Sequence, residues 1–169
     1  MGGKFSIVTI GLSPAWDITC RGQNLDWGLH KYIDEQTIRP AGKALNVSKA
    51  LAWMGEKNIA AGLWGGEDYE QMLKGMRSLR GLVKVKMTAV AGSTRQNITI
   101  VDTANNREMH LRSRSDLAWK KDLIKLEADL RATVHKGSVC VFAGAMPQDE
   151  LFGDVVRIIK SCRECGAKI

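Results

Sequence analysis

Residues 40 to 46, Pro-Ala-Gly-Lys-Ala-Leu-Asn, place a glycine, a lysine and an asparagine at the mouth of a segment patterned as an amphipathic helix ending at Gly55. A helix start presents several backbone N–H groups and the positive end of the helix dipole, which suits a phosphate or carboxylate. Gly42 lets a ligand approach the backbone, and Lys43 adds a mobile positive charge. Asn46, one turn inside, offers both a donor and an acceptor to a hydroxyl or phosphoryl oxygen. The cluster suits a phosphorylated or polyhydroxylated ligand, and composition alone equally allows an ordinary helix start with a solvated lysine. It is not the nucleotide-binding phosphate loop. That loop needs a glycine five residues before its Gly-Lys pair and Ser or Thr directly after, where Thr37 and Ala44 stand.

The elements that must position this cluster follow from the pattern of apolar residues. Residues 5 to 12, Phe-Ser-Ile-Val-Thr-Ile-Gly-Leu, are apolar and β-branched enough for a buried central strand. Ser13-Pro14 ends it, and Asp17 follows where strands of open α/β sheets deliver ligand-binding groups. Residues 17–23 and 31–39 read as two shorter, more polar strands. A helix over about 44–54, a buried strand over 58–64 and a helix over about 67–80 then make a parallel β-α-β unit. From 83 to 112 the alternation in Val83-Lys84-Val85-Lys86-Met87, in Asn97-Ile98-Thr99-Ile100-Val101 and in Glu108-Met109-His110-Leu111 predicts an antiparallel meander. Helix 120–135, strand 138–143 and helix 148–165 complete the pattern. Ala167-Lys168-Ile169 reads as the beginning of a further strand. A domain that stops on entering a strand leaves a sheet edge unfilled. The expectation is therefore an N-terminal part of a longer protein, or strands supplied by another molecule.

Length and charge narrow the classes. The 169 residues suffice for one core with a small appendage, and 44% are apolar. No apolar run approaches the roughly 18 residues of a membrane span. The N-terminal Met-Gly-Gly-Lys-Phe-Ser lacks the apolar core and cleavage site of a secretory signal, so the cytoplasm is the expected compartment. The formal charge of +7 comes from bases mostly interleaved with acids, as in Lys120-Lys121-Asp122. Arg107, Arg112 and Arg114 form the densest basic group and read as a solvated face, so no nucleic-acid partner is expected. Cys20, Cys140, Cys162 and Cys165 suit reduced thiols better than a disulfide framework. The Cys162-Arg-Glu-Cys165 pair has no second pair to complete a zinc site, and no metal site is expected.

Four segments in order carry a family resemblance: Pro14-Ala15-Trp16-Asp17, Ala41-Gly42-Lys43-Ala44-Leu45-Asn46-Val47, Thr94-Arg95-Gln96-Asn97 and Gly144-Ala145-Met146-Pro147. Over almost its whole length the chain resembles the PfkB carbohydrate kinases, in particular the 1-phosphofructokinase and tagatose-6-phosphate kinase branch. The resemblance implies a ribokinase-like αβα sandwich with a parallel sheet and a small β-sheet lid, the C-terminal portion missing. Residues 1–169 would be the N-terminal part of one kinase domain, with lid strands at about 17–39 and 83–112. Asp17 would accept hydrogen bonds from sugar hydroxyls, Gly42, Lys43 and Asn46 would hold the sugar or its phosphate, and Arg95 would reach that phosphate from the lid. The complete protein would use ATP and Mg²⁺ to phosphorylate a sugar phosphate such as fructose 1-phosphate or tagatose 6-phosphate. A homodimer through the lid is a further implication.

The departures are specific. Ser13 replaces the usual Asn, Ala41 and Ala44 replace two glycines, and Ala145 stands where the family has Ser. The Gly-Ala-Gly-Asp motif that supplies the catalytic Asp lies in the C-terminal half of such kinases and is not within these residues, nor is most of the ATP pocket. The 169-residue chain alone is therefore expected to be inactive. A non-catalytic sugar-phosphate-binding or interaction module, or a nucleoside or sugar kinase of the same fold, is the alternative.

Overall fold

The strand Asn58–Gly65 (β4) is buried at every position, because it lies inside a parallel sheet covered on both faces. The computed structural model describes residues 6–114 and 117–169. Phe5, expected as the first residue of the first strand, and residues 1–4 lie outside the described residues. Ile7–Gly11 (β1) pairs in parallel with β4 on one side and with Val139–Phe142 (β8) on the other. Val83–Val90 (β5) closes the far edge of β4, giving the order β5-β4-β1-β8.

Alternate residues of these strands feed two separate clusters. Val8, Ile10, Ile59, Ala61 and Leu63 pack with Leu123, Leu126 and Leu130 of Lys120–Arg131 (α3) and with Val155 and Ile158 of Phe152–Glu164 (α4). Ala60 and Trp64 pack on the opposite face with Leu45 and Ala52 of Lys43–Trp53 (α1) and with Met72 of Tyr69–Gly75 (α2). Each fully buried leucine contributes about 2 kcal/mol of apolar burial. A polar clamp fixes α1: Asn58 Nδ2 donates to the Ser48 carbonyl at 3.0 Å, and the Ser48 hydroxyl donates to Asn58 Oδ1.

The second sheet is built from two excursions at the carboxyl ends of core strands. Ala15–Gly22 (β2) and Glu35–Ala41 (β3) leave after β1, whereas Gln96–Asp102 (β6) and Arg107–Arg112 (β7) leave after β5. Because β1 and β5 are parallel, β2 and β6 depart in the same direction and pair in parallel, Asp17 beside Asn97. Each hairpin then returns antiparallel, in the order β3-β2-β6-β7.

The antiparallel meander expected over 83–112 is thereby corrected. Val83–Val90 belongs to the core sheet, paired in parallel with β4, so the lid segment of this region begins at Gln96. Its alternation has another cause: β5 is an edge strand, and Lys84 and Lys86 face solvent while Val83 and Met87 enter the core. The helix expected over 67–80 is the short α2 followed by a 3₁₀ turn, Arg77–Leu79. At the other end, Lys168 pairs in parallel with Val139, its N–H on the Ser138 carbonyl and its carbonyl accepting from Cys140, so of the strand expected at 167–169 the structure holds a single bridge beside β8. All four cysteines are free.

Candidate functional site

Sheet alternation sorts the lid into a polar and an apolar face. Asp17, Thr19 and Arg21 of β2 share one face with Glu35, Thr37 and Arg39 of β3, and this face looks across a cleft of about 710 Å³ toward Asn46, Lys49 and Trp53 of α1. The volume falls within the range of small-molecule sites.

Asp17 is half-buried and held from the side. Asn97, its register partner in β6, donates from Nδ2 to Asp17 Oδ1 at 2.9 Å. The Oδ1 of Asn97 in turn accepts from Arg95 Nη1 at 2.7 Å. Arg95 also donates to the Ser113 carbonyl at 3.4 Å, while its buried Nε has no hydrogen-bond partner among the described residues. An arginine, an amide and a carboxylate thus form a hydrogen-bonded row on the lid. Among the described residues the row leaves Asp17 an oxygen without a hydrogen-bond donor, open to a hydroxyl, and Arg95 donors for an anion.

Gly42 begins α1 with φ 120° and ψ 150°, a conformation essentially confined to glycine. A Cβ there would lie 3.2 Å from Pro14 Cα. This turn brings β3 into the helix directly over the β1-to-β2 connection. Lys43 is exposed, and a Cβ added to Gly144, in the turn that follows β8, would lie 3.6 Å from Lys43 Cβ. Gly42 and Lys43 line a narrow crevice with Ser13 and Pro14, next to the larger cleft rather than inside it. Asn46 is exposed on the cleft wall, and its N–H donates to the Gly42 carbonyl at 2.8 Å. Of the five residues singled out in the sequence, Asp17 and Asn46 thus face each other across one cleft, Arg95 joins through Asn97, and Gly42 and Lys43 occupy the adjoining rim.

Two cations were not foreseen. Lys49 lies one turn beyond Asn46, donates to the Pro40 carbonyl and has its pKa lowered by burial, with Asp17 opposing and Arg39 reinforcing that shift. Its i+3 spacing from Asn46 was the available signal. Arg39 pairs with Asp17 across β2 and β3, and its alternation with Thr37 and Glu35 was the clue.

The head of α1 has no room for a nucleotide. The crevice at the head of α1 holds only about 10 Å³, against several hundred for a cofactor pocket. Among the described residues no group of three or more His, Cys, Asp or Glu side chains is arranged to ligate a metal, and no helix is long and apolar enough to cross a membrane.

An αβα core bearing a β lid over the carboxyl ends of its strands is the ribokinase-like fold. The phosphofructokinase-2 of Escherichia coli in complex with fructose-6-phosphate superposes with a TM-score of 0.85 at 19% identity, over 97% of this chain and 53% of that one. A possible 1-phosphofructokinase of Thermotoga maritima gives 0.81 at 25% identity, over 95% and 51%. Residues 5–168 match the pfkB family carbohydrate kinases, and the chain belongs to that family. Its curated relatives include a 1-phosphofructokinase of Vibrio cholerae, 27% identical over 84% of this chain and 44% of that protein. A tagatose-6-phosphate kinase of Staphylococcus epidermidis is 24% identical over 91% and 49%. The chain spans about half the length, or less, of the curated relatives it matches. ATP is the phosphoryl donor consistent with this family.

Proposed function

We propose that these residues form the sugar-binding half and lid of an ATP-dependent sugar-phosphate kinase. The observation that carries this reading is the Arg95–Asn97–Asp17 row facing Asn46 across the cleft. Asn97 occupies one lone pair of Asp17 and orients the carboxylate, so the second oxygen accepts from sugar hydroxyls. Arg95 and Lys43 supply positive charge to a phosphate already on the sugar, and Arg39 and Lys49 keep the cleft field positive. Fructose 1-phosphate, fructose 6-phosphate and tagatose 6-phosphate are the candidate ligands, by similarity to the relatives.

ATP would supply the transferred phosphoryl group and Mg²⁺ would offset its charge, both held by residues outside this chain. The Asp base of the Gly-Ala-Gly-Asp motif is likewise assigned outside it. A second copy packing on the apolar lid face is the partner proposed, and four free thiols fit the reducing cytoplasm. A non-catalytic sugar-phosphate-binding module is the second reading, in which the same groups around the cleft bind the ligand without a phosphoryl-transfer centre.

Titration calorimetry with the three sugar phosphates tests the site. Saturable binding weakened about tenfold or more in Arg95→Ala is expected, the scale of a lost charge-assisted hydrogen bond. Equal affinity in wild type and variant removes Arg95 from the site. A coupled ADP-release assay on the chain alone is expected to show no turnover, and robust turnover overturns the assignment of the base and ATP site elsewhere.

A further inference from the structure

The loop between β4 and α2 carries a carboxylate that the binding reading leaves unused. Asp68 stands on the core, yet its side-chain partners belong to the lid and its connector. Asp68 Oδ2 accepts from the indole Nε1 of Trp16 in β2. Both oxygens accept from the Thr94 N–H at 3.2 Å, and Oδ1 also accepts from the Thr94 hydroxyl at 3.1 Å. That hydroxyl, 3% exposed as a residue, accepts in turn from the Gly65 N–H at 3.0 Å, so its donor and acceptor roles are both assigned. The Trp16 N–H donates to the Arg95 carbonyl at 2.8 Å, and the Trp16 ring stands edge-on to Trp64 of β4 with centroids 5.5 Å apart. No side chain fits at Gly65: a Cβ would lie 2.5 Å from Thr94 N and 2.7 Å from Asp68 Oδ1.

Asp68 therefore ties both lid excursions to the core at the point where they depart. Trp16 immediately precedes Asp17, and Thr94 immediately precedes Arg95. Neighbours in an extended strand point to opposite faces, so drawing Trp16 down onto the core turns Asp17 out toward the cleft. Holding the Thr94 backbone fixes where the Arg95 side chain begins. Hydrogen bonds to a carboxylate are roughly twice as strong as neutral ones, which makes this a stiff junction.

We propose that Asp68 is a positioning residue of the sugar-phosphate site, a latch that holds the lid in the orientation that aims Asp17 and sets Arg95. This rests on the proposed binding roles of those two residues. Hydrogen–deuterium exchange and fructose 6-phosphate titration on wild type, Asp68→Ala, Asp68→Asn and Thr94→Val test it together. Asp68→Ala is expected to raise amide exchange in peptides of 15–22 and 94–102 about tenfold, to leave β4 and α3 protected, and to weaken binding about tenfold. Asp68→Asn, which keeps one acceptor, is expected to fall between. Thr94→Val removes only the hydroxyl, and carries the test alone if Asp68→Ala does not fold. Lid exchange unchanged from wild type in the folded variants overturns the latch, as does loosened exchange with undiminished affinity. The exchange measurement needs no ligand: a wild type that binds no sugar phosphate defeats the binding reading, while an exchange difference still reports whether Asp68 joins lid to core.

Discussion

At the scale of single residues, carboxylates do two different jobs in the lid. Asp17 is oriented by a single amide through one oxygen, which suits the binding role proposed for it. Asp102 is spent on structure: it accepts from the N–H groups of Asn24 at 2.9 Å and Leu25 at 3.2 Å, from Asn105 Nδ2 at 2.8 Å and from Arg107 at 3.0 Å. The hydrogen bond from Asn105, followed by those from Arg107 and the backbone, holds its pKa well below the ordinary carboxylate range. A depressed folded pKa means that the unfolded chain binds the proton more readily. The stabilisation is thus complete above the unfolded value of about 4 and is lost as pH falls from there toward the lower folded value. Urea unfolding followed from pH 5 to pH 2 is expected to show this loss in wild type and a shallower one in Asp102→Asn, and equal slopes would deny Asp102 the role. Asp17, Gly42, Lys43, Asn46 and Arg95 were legible as residue types at telling places. Arg39 and Lys49 were not, because their convergence depends on hairpin register and on how α1 leans against the lid.

At the scale of elements, β1, β4 and α1 approach one another closely beside the crevice at the head of α1. Gly11 and Gly62 are register partners, and a Cβ on Gly62, whose φ is 129°, would fall 1.9 Å from the Gly11 carbonyl oxygen. A Cβ on Gly11 would meet Ala44 Cβ at 3.0 Å. Gly62→Ala is expected to cost about 3 kcal/mol or more, from strain at positive φ and overpacking together, measured as a shifted denaturant midpoint at constant slope. A change below about 0.5 kcal/mol contradicts the close packing. The helices and buried strands of the core were readable because periodicity survives wherever a face is fully covered. Strand β5 was misassigned for the same physical reason: an edge strand half open to solvent alternates as a lid strand does.

At the scale of the whole molecule, the lid exposes an apolar face that the core does not cover. Ile98, Ile100, Met109 and Cys20 line a groove of about 470 Å³ on the side away from Asp17. Ile38 of the same sheet is 55% exposed, and in the adjoining loop Trp27 is 81% and Tyr32 95% exposed. Exposed apolar surface of this kind suits the association proposed above, in which a second copy would offer a self-complementary cover. Light scattering after gel filtration is expected to give a dimer of the chain, reduced to monomer by Ile38→Asp. A wild-type monomer at high micromolar concentration would exclude the lid dimer.

The sequence by itself determined the αβα core, the presence of a lid, the family and the residue types of the binding turn, because buried periodicity, glycine turns and ordered motifs are local properties. Only the tertiary structure decided that β5 is a core edge, that β2 and β6 run in parallel, and that Asp17 reaches Arg95 through Asn97. Those facts depend on which strand ends share an edge of the sheet, and on hydrogen bonds between residues as far apart in the chain as Asp17 and Asn97, a separation over which local pattern carries no register.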